Sequence, residues 1–433
     1  MNKIKWVRHL TPAHVLILGF LGVILTGMVL LLLPISAKEG IVIHPIDALF
    51  TSTSAVCVTG LATFDLGDSL TVFGQVVVAL LIQIGGLGFM SVAAILLLLM
   101  GKRIGLKERI ILKEALNLES FQGIVRLLKA IVLMTLCFEG LGFLLSLCVF
   151  SGDYPFWTAV GISAFHAISA FNNAGFDILG NFQGLTGYKD HLLLNLITAG
   201  LIIFGGLGFY VIQDVRTKRR WSKLTMHSKI VLLMTSSLLV GGTLLVQFTE
   251  EITWLGAFFA SVSARTAGFS TFNFGDFTGA GLFVIIILMF IGASPGSTGG
   301  GIKTTTTFTL LLALFSLPRD KQCVAFGRRI STESIMKAFS LTFLALCAII
   351  LGTFIMCLLE PHLTFIQILF EVVSGFGTVG LSTGITPELH SLSKAILVCT
   401  MFLGRLGPLT IACAWKYNHT RHVNYVEEKI IIG

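Results

Sequence analysis

The sequence predicts an all-α, polytopic membrane fold of four tandem units. Three observations carry that prediction. The composition suits lipid, basic and acidic segments alternate along the chain, and one motif recurs four times in phase with the alternation.

The 433 residues are 55% hydrophobic and only 12% charged. Soluble domains carry about 25% charged residues. Apolar segments long enough to span a bilayer recur throughout, among them Val15–Leu33, Val76–Met100 and Ile131–Phe150. No small-residue cleavage site directly follows the first of them, so it reads as a retained helix. The cysteines, Cys57, Cys137, Cys148, Cys323, Cys347, Cys357, Cys399 and Cys413, form no C-x-x-C pair and read as small apolar fillers.

A net charge of +8 is compatible with nucleic-acid binding, but its placement excludes that class. Lysine and arginine gather in Lys3–Arg8, Lys102–Lys129, Arg216–Lys229, Arg319–Lys337 and Lys416–Lys429. Acids such as Asp65, Asp68, Asp153, Asp177, Glu250, Asp276, Glu360 and Glu388 dominate the segments between. This is the positive-inside pattern, and it places both termini and three loops in the cytoplasm. Lys38, Lys189 and Lys394 fall on the other side, and Arg265, Lys303 and Arg405 stay inside the apolar zone. Charges at that depth are costly, so these three are functional candidates.

Between successive basic clusters lie two spanning segments joined by a piece too short and polar to span. The joining pieces contain Val58-Thr59-Gly60, Asn173-Ala174-Gly175, Thr266-Ala267-Gly268 and Thr378-Val379-Gly380, each after a short run rich in Ser and Phe. A second glycine follows at Gly85, Gly205, Gly292 and Gly404, at 25, 30, 24 and 24 residues from the first. The repeats divide the chain at 1–101, 102–222, 223–320 and 321–433, with about eight spanning helices and four re-entrant loops. Non-helical backbone at membrane depth must be shielded by protein or line a watery path. Four such loops can close a ring around one axis, as a pseudo-fourfold ion pore. Glycine permits backbone angles that turn carbonyls inward, and rings of carbonyls replace the hydration shell of an alkali cation. A short helix whose C-terminal end faces the ring favours a cation further. In the second helices, Gly85, Gly86, Gly88, Gly205, Gly206 and Gly208 read as close-packing residues.

One stretch breaks the pattern. Ser294–Thr307 reads SPGSTGGGIKTTTT and resembles a phosphate-binding loop, but Ile302 intrudes before Lys303 and apolar runs flank it on both sides. Nucleotide binding is therefore not the reading. Pro295 and Gly299–Gly301 cannot hold a regular helix there.

The four loops, CVTGL, NNAGF, RTAGF and TVGLST, resemble those of the superfamily of K⁺ transporters that contains the bacterial Trk/Ktr membrane subunits and the plant HKT proteins. The resemblance covers the whole chain, and its length fits the Ktr type. It implies K⁺ transport through a selectivity filter of Val58, Thr59, Gly60, Asn173, Ala174, Gly175, Thr266, Ala267, Gly268, Thr378, Val379 and Gly380. In the plant branch a serine in the first loop accompanies Na⁺ transport, so Gly60 argues for K⁺. The resemblance also implies an intramembrane gate below the filter. It comprises Gly292, Ser294, Pro295, Gly296, Ser297, Thr298, Gly299, Gly300, Gly301 and Lys303, with Arg405 facing the path. Arg265 reads as a brace for its loop, with Glu371 as a candidate partner. Glu139 reads as a structural hydrogen-bonding acid rather than a proton relay.

No cofactor is implied; K⁺ is the transported ion. The family further implies a homodimer on a cytosolic ring of nucleotide-binding RCK subunits, KtrA in Ktr systems. Lys102–Lys113 and Arg319–Arg329 suit that docking, or anchoring to anionic lipid. A Na⁺-conducting or Na⁺-coupled transporter of the same architecture is the second reading. A membrane enzyme is disfavoured, because the histidines lack metal-ligand spacing. Asn418-His419-Thr420 fits a glycosylation sequon on the cytoplasmic side and is set aside.

Overall fold

The computed structural model describes residues 11–100, 105–115, 123–316, 322–408 and 410–411. Both terminal basic clusters, and the repeat boundaries at 101/102 and 320/321, lie outside the described residues.

Among the described residues, four helices are long and apolar enough to cross a bilayer unbroken: Pro12–Leu31, Ile124–Phe150, Met226–Thr249 and Thr332–Leu359. Their outward faces expose large apolar side chains, including Leu136, Leu144, Val240, Leu244, Phe343 and Phe354. In water such a surface would be unstable; against lipid it is matched.

A shorter helix follows each long one: Pro45–Cys57, Phe156–Phe171, Trp254–Ser263 and Phe365–Gly377. Local chemistry sets where they begin. Pro45 occupies the first turn, the Thr253 side chain caps the third helix, and Thr364 with Gln367 forms a capping box. At 10 to 16 residues they reach only roughly 15–24 Å, short of the ~30 Å hydrocarbon core. They therefore enter and turn back. Each turn begins at a non-glycine residue in left-handed backbone: Val58 (φ 58°), Asn173 (φ 58°), Thr266 (φ 75°) and Thr378 (φ 50°). Such residues are uncommon and strained, and persist where the surroundings fix them.

The second helices differ from the single spans read in the sequence. Val72–Leu87 and Phe89–Leu98 meet at 95°, and Leu192–Leu207 and Phe209–Lys218 at 93°. The bends fall at Gly88 (φ 78°) and Gly208 (φ 89°), and Ser391–Leu406 ends likewise at Gly407 (φ 82°). These glycines are break points, since only glycine takes that backbone without strain; Gly208 packs closely as well, against the third-unit loop, whereas Gly88 has open space beside it. Packing against the short helices belongs to the glycine three residues earlier. A Cβ on Gly85, Gly205 or Gly404 would collide with the carbonyl oxygen of Val56, Phe171 or Phe376 respectively, at the end of a short helix. In the third unit the interruption is longer: Gly279–Phe290 and Thr304–Ser316 are separated by residues 291–303.

The buried core follows the same plan. One cluster includes Leu31, Phe50, Leu81, Phe176, Met289, Phe370 and Phe376 and draws on all four units. Another, with Phe150, Phe171, Ile202, Phe259 and Phe269, joins the second and third. An ion pair also links the fourth and first units, Lys394 Nζ to Asp47 Oδ1 at 2.9 Å. Gly404→Ala should destabilise the protein by about 1–3 kcal/mol, because backbone cannot yield to the added methyl as a side chain can. The thermal unfolding midpoint of the purified protein in detergent checks this; Gly241→Ala, inside a helix where a Cβ meets nothing, should not lower it.

Candidate functional site

The four loops meet in a closed ring. The space a Cβ would fill on Gly60 is bounded by Ala174 O, on Gly175 by Ala267 O, on Gly268 by Val379 O, and on Gly380 by Thr59 O. Each glycine thus abuts the next loop's middle carbonyl, and the fourth loop returns to the first. The glycines take φ of 96°, 70°, 79° and 94°, so a side chain would be strained there as well as obstructed.

The direction of the carbonyls follows from peptide geometry. In a trans peptide the N–H and the preceding C=O point opposite ways. Thr59 N donates to Ser54 O at 2.8 Å and Gly60 N to Ser54 Oγ at 3.0 Å. Val379 N donates to Ser374 O at 2.9 Å and Gly380 N to Ser374 Oγ at 3.1 Å. Ala174 N donates to Ser169 O at 2.8 Å, and Ala267 N and Gly268 N to Ser263 O at 2.9 and 3.4 Å. These N–H groups face back to the short helices, so the preceding carbonyls face the axis. The carbonyls so directed are those of Val58, Asn173, Thr266 and Thr378 in a first layer and Thr59, Ala267 and Val379 in a second, in which Ala174 holds the matching position of its loop.

The ring has two different faces. The glycine edge opens into a cavity of ≈ 340 Å³ lined also by Asp65, Asp177, Gln183 and Ser382. The opposite edge is covered by the third-unit loop. Gly300 N donates to Thr378 Oγ1 at 3.0 Å, and a Cβ on Gly299 would strike Thr266 Oγ1. Ser294 N and Thr298 N donate to Gly206 O and Gly205 O at 3.1 and 3.3 Å, and Phe209 N donates to Gly296 O at 3.1 Å. A Cβ on Gly208 would meet Pro295 O at 2.7 Å. Gly292 N donates to Ile302 O at 2.8 Å, which closes the loop's neck, and Ser297 Oγ donates to Ser294 O at 2.6 Å within it. Gly296 and Gly301 supply the positive φ the turns need, 69° and 68°.

Two of the three intramembrane cations belong to this loop. The Arg405 guanidinium donates to Thr298 O and Gly85 O, and to Gly86 O at 3.3 Å, so it ties the fourth and first units to the loop. Lys303 Nζ donates to Gly299 O and Gly300 O at 2.7 and 3.3 Å. Arg265, 6% exposed, sits just before its ring loop. It does not pair with Glu371. That carboxylate is fully buried and accepts from Ser382 Oγ (2.5 Å), Thr383 N (3.0 Å) and Thr386 Oγ1 (2.9 Å), and so fixes the segment leaving the fourth loop. Glu139 is a hydrogen-bonding acid: Asn172 Nδ2 donates to it at 2.9 Å, and to Gln83 Oε1 at the same distance.

The supporting serines were not singled out individually from sequence, although a signal exists. Ser54, Ser169 and Ser374 each stand six residues before a ring glycine. The Gln83–Glu139–Asn172 group joins three separate helices and left no spacing to find.

Short half-span helices, a carbonyl-lined ring and lipid-facing long helices define a multi-pass membrane protein of the cation-transporter class. Residues 16–421 match the family model TrkH, cation transport protein, and the chain belongs to that family. It is 39% identical to the Ktr system potassium uptake protein B of Bacillus subtilis, over 99% of this chain and 98% of that one. It is 37% identical to the potassium/sodium uptake protein NtpJ of Enterococcus hirae, over 98% of each. The crystal structure of the potassium transporter TrkH from Vibrio parahaemolyticus shares the fold with a TM-score of 0.70 at 20% identity, covering 92% of this chain and 84% of that one. The resemblance read from the loops is therefore borne out, and these relatives are transporters, not enzymes.

Glu371→Ala should lower stability by about 1–3 kcal/mol, since it strands the buried donors of Thr383 and Thr386 and frees the half-buried Ser382 hydroxyl. Glu371→Gln, which keeps one acceptor in place, should cost less. Thermal unfolding of both variants checks the order, and equal midpoints would refute it.

Proposed function

We propose that the chain is the ion-translocating subunit of a potassium uptake system in the cell membrane. K⁺ is the cargo, passing channel-like through the ring of loops, which serves as selectivity filter. The observation that carries this reading is the closed ring, with N–H groups turned back to the serines and carbonyls turned to the axis. Such a ring substitutes for water around an alkali cation. All four loops keep their glycine, which favours K⁺. The name of the Enterococcus relative gives the second reading its support: a carrier that also takes Na⁺.

The third-unit loop with Lys303 and Arg405 acts as the gate. It covers one end of the ring, and its two cations oppose a third. The termini lie in the cytoplasm, on the side of the basic clusters. The working form is a homodimer on a cytosolic RCK-type ring; the word "system" in the name of the Bacillus relative supports an assembly of more than one component, and no more than that.

Uptake of K⁺ in a K⁺-uptake-deficient cell, with and without a ring partner, tests the main reading; absence of uptake in both rejects it. Gly60→Ser should reduce discrimination of K⁺ over Na⁺, because the hydroxymethyl group enters the space beside Ala174 O. Competition uptake with Na⁺ measures this, and an unchanged ratio removes Gly60 from the filter. Arg405→Ala should raise K⁺ flux by freeing the loop from Thr298 O and Gly85 O. Flux at or below that of the parent, in protein shown to reach the membrane, refutes the gate assignment.

A further inference from the structure

The third-unit loop does more than lie against the ring: it presents a polarised peptide to it. The Gly299–Gly300 peptide is held at both ends. Its carbonyl, Gly299 O, accepts from Lys303 Nζ at 2.7 Å, and its amide, Gly300 N, donates to Thr378 Oγ1 at 3.0 Å. The next carbonyl, Gly300 O, also turns to Lys303, and Thr298 O turns to Arg405. The negative ends of these peptides are therefore taken up by two fixed cations. A positive end faces the ring, at the first residue of the fourth loop.

The receiving side matches. Thr378 and Thr266 are fully buried, and each belongs to the layer of first residues. Thr266 Oγ1 accepts from Asn173 Nδ2 at 3.1 Å, across the boundary between units. Both glycines must stay bare for the loop to sit this close, since a Cβ on either would strike a threonine hydroxyl. Val58, in the first unit, offers no hydroxyl.

We propose that the seated loop and a monovalent cation in the first-residue layer exclude one another, so that the transported ion itself unseats the loop. This rests on the reading of the ring as an ion path. The physical reason is electrostatic. A cation among the carbonyls of Val58, Asn173, Thr266 and Thr378 is repelled by an amide hydrogen backed by Lys303 and Arg405 in a region without bulk water. The same cation attracts Thr378 Oγ1, the acceptor that holds Gly300. Occupancy of the layer thus weakens the latch, and a seated latch weakens occupancy, reciprocally. Flux then rises more steeply with ion concentration than filling of a static pore would give.

The test uses full-length protein in proteoliposomes. Ser297→Cys, within the loop, reports exposure through its rate of modification by a membrane-impermeant thiol reagent, with the parent protein as blank. K⁺ in place of choline should raise that rate several-fold. Adding Thr378→Val should raise the rate in choline by roughly 2- to 12-fold, the effect of losing one hydrogen bond, and remove most of the K⁺ response. Adding Thr378→Ser, which restores the hydroxyl, should behave as Ser297→Cys alone. Labelling indifferent to K⁺, or equal rates for the valine and serine variants, overturns the proposal. If the valine variant elutes unlike the parent, the K⁺ response of Ser297→Cys alone decides. Radioactive rubidium uptake by the same vesicles separates the two readings. No uptake either with or without the ring partner rejects the ion path, whereas uptake with K⁺-indifferent labelling rejects only the latch.

Discussion

Everything in this structure depends on what becomes of the backbone N–H groups where four chain segments stop being helical at membrane depth. Lipid offers no partner, and an unsatisfied amide there costs several kcal/mol. The short helices resolve this by offering carbonyl and serine hydroxyl oxygens from their last turns as acceptors for the N–H groups of the loops that follow. Because the peptides are trans, satisfying the N–H on one side commits the C=O to the other. A rule about solvation thereby becomes a rule about where oxygen atoms point.

That commitment explains the rest of the architecture. The short helices must end at a common depth, so they span half a bilayer, and the long helices enclose them. The second helices press a glycine against the end of each short helix in three of the units, and bend or end at another glycine three residues later. The third unit cannot repeat this. There Gly292 meets the backbone of its own loop, at Gly300, and the chain spends residues 291–303 across the axis. The asymmetry between one unit and three is what places Lys303 and Arg405 near the ring.

Legibility differed by residue. Gly60, Gly175, Gly268 and Gly380 were readable because a backbone of positive φ demands glycine and the demand recurs with the topology. Val58, Asn173, Thr266 and Thr378 share that conformation without being glycine, and nothing in their identity reveals the strain. The bends at Gly88 and Gly208 were hidden inside glycine pairs whose packing and bending members look alike in one dimension. Arg265 and Glu371 invited pairing as opposite charges at similar places in two units. The carboxylate is instead consumed by three donors of its own unit, which lie within 15 residues of it.

The sequence by itself determined the local constraints: apolar lengths, charge alternation, caps, half-span helices, and glycine where no other residue fits. These are properties of neighbouring residues and of the solvent they meet. Only the tertiary structure decided which atoms face one another. Arg405 reaches Thr298 across 107 residues and Gly85 across 320, and Gly300 finds Thr378 across 78. Those partners share no spacing, because they are set by how four units close around one axis. Closure brings together chain ends and middles that local chemistry leaves free.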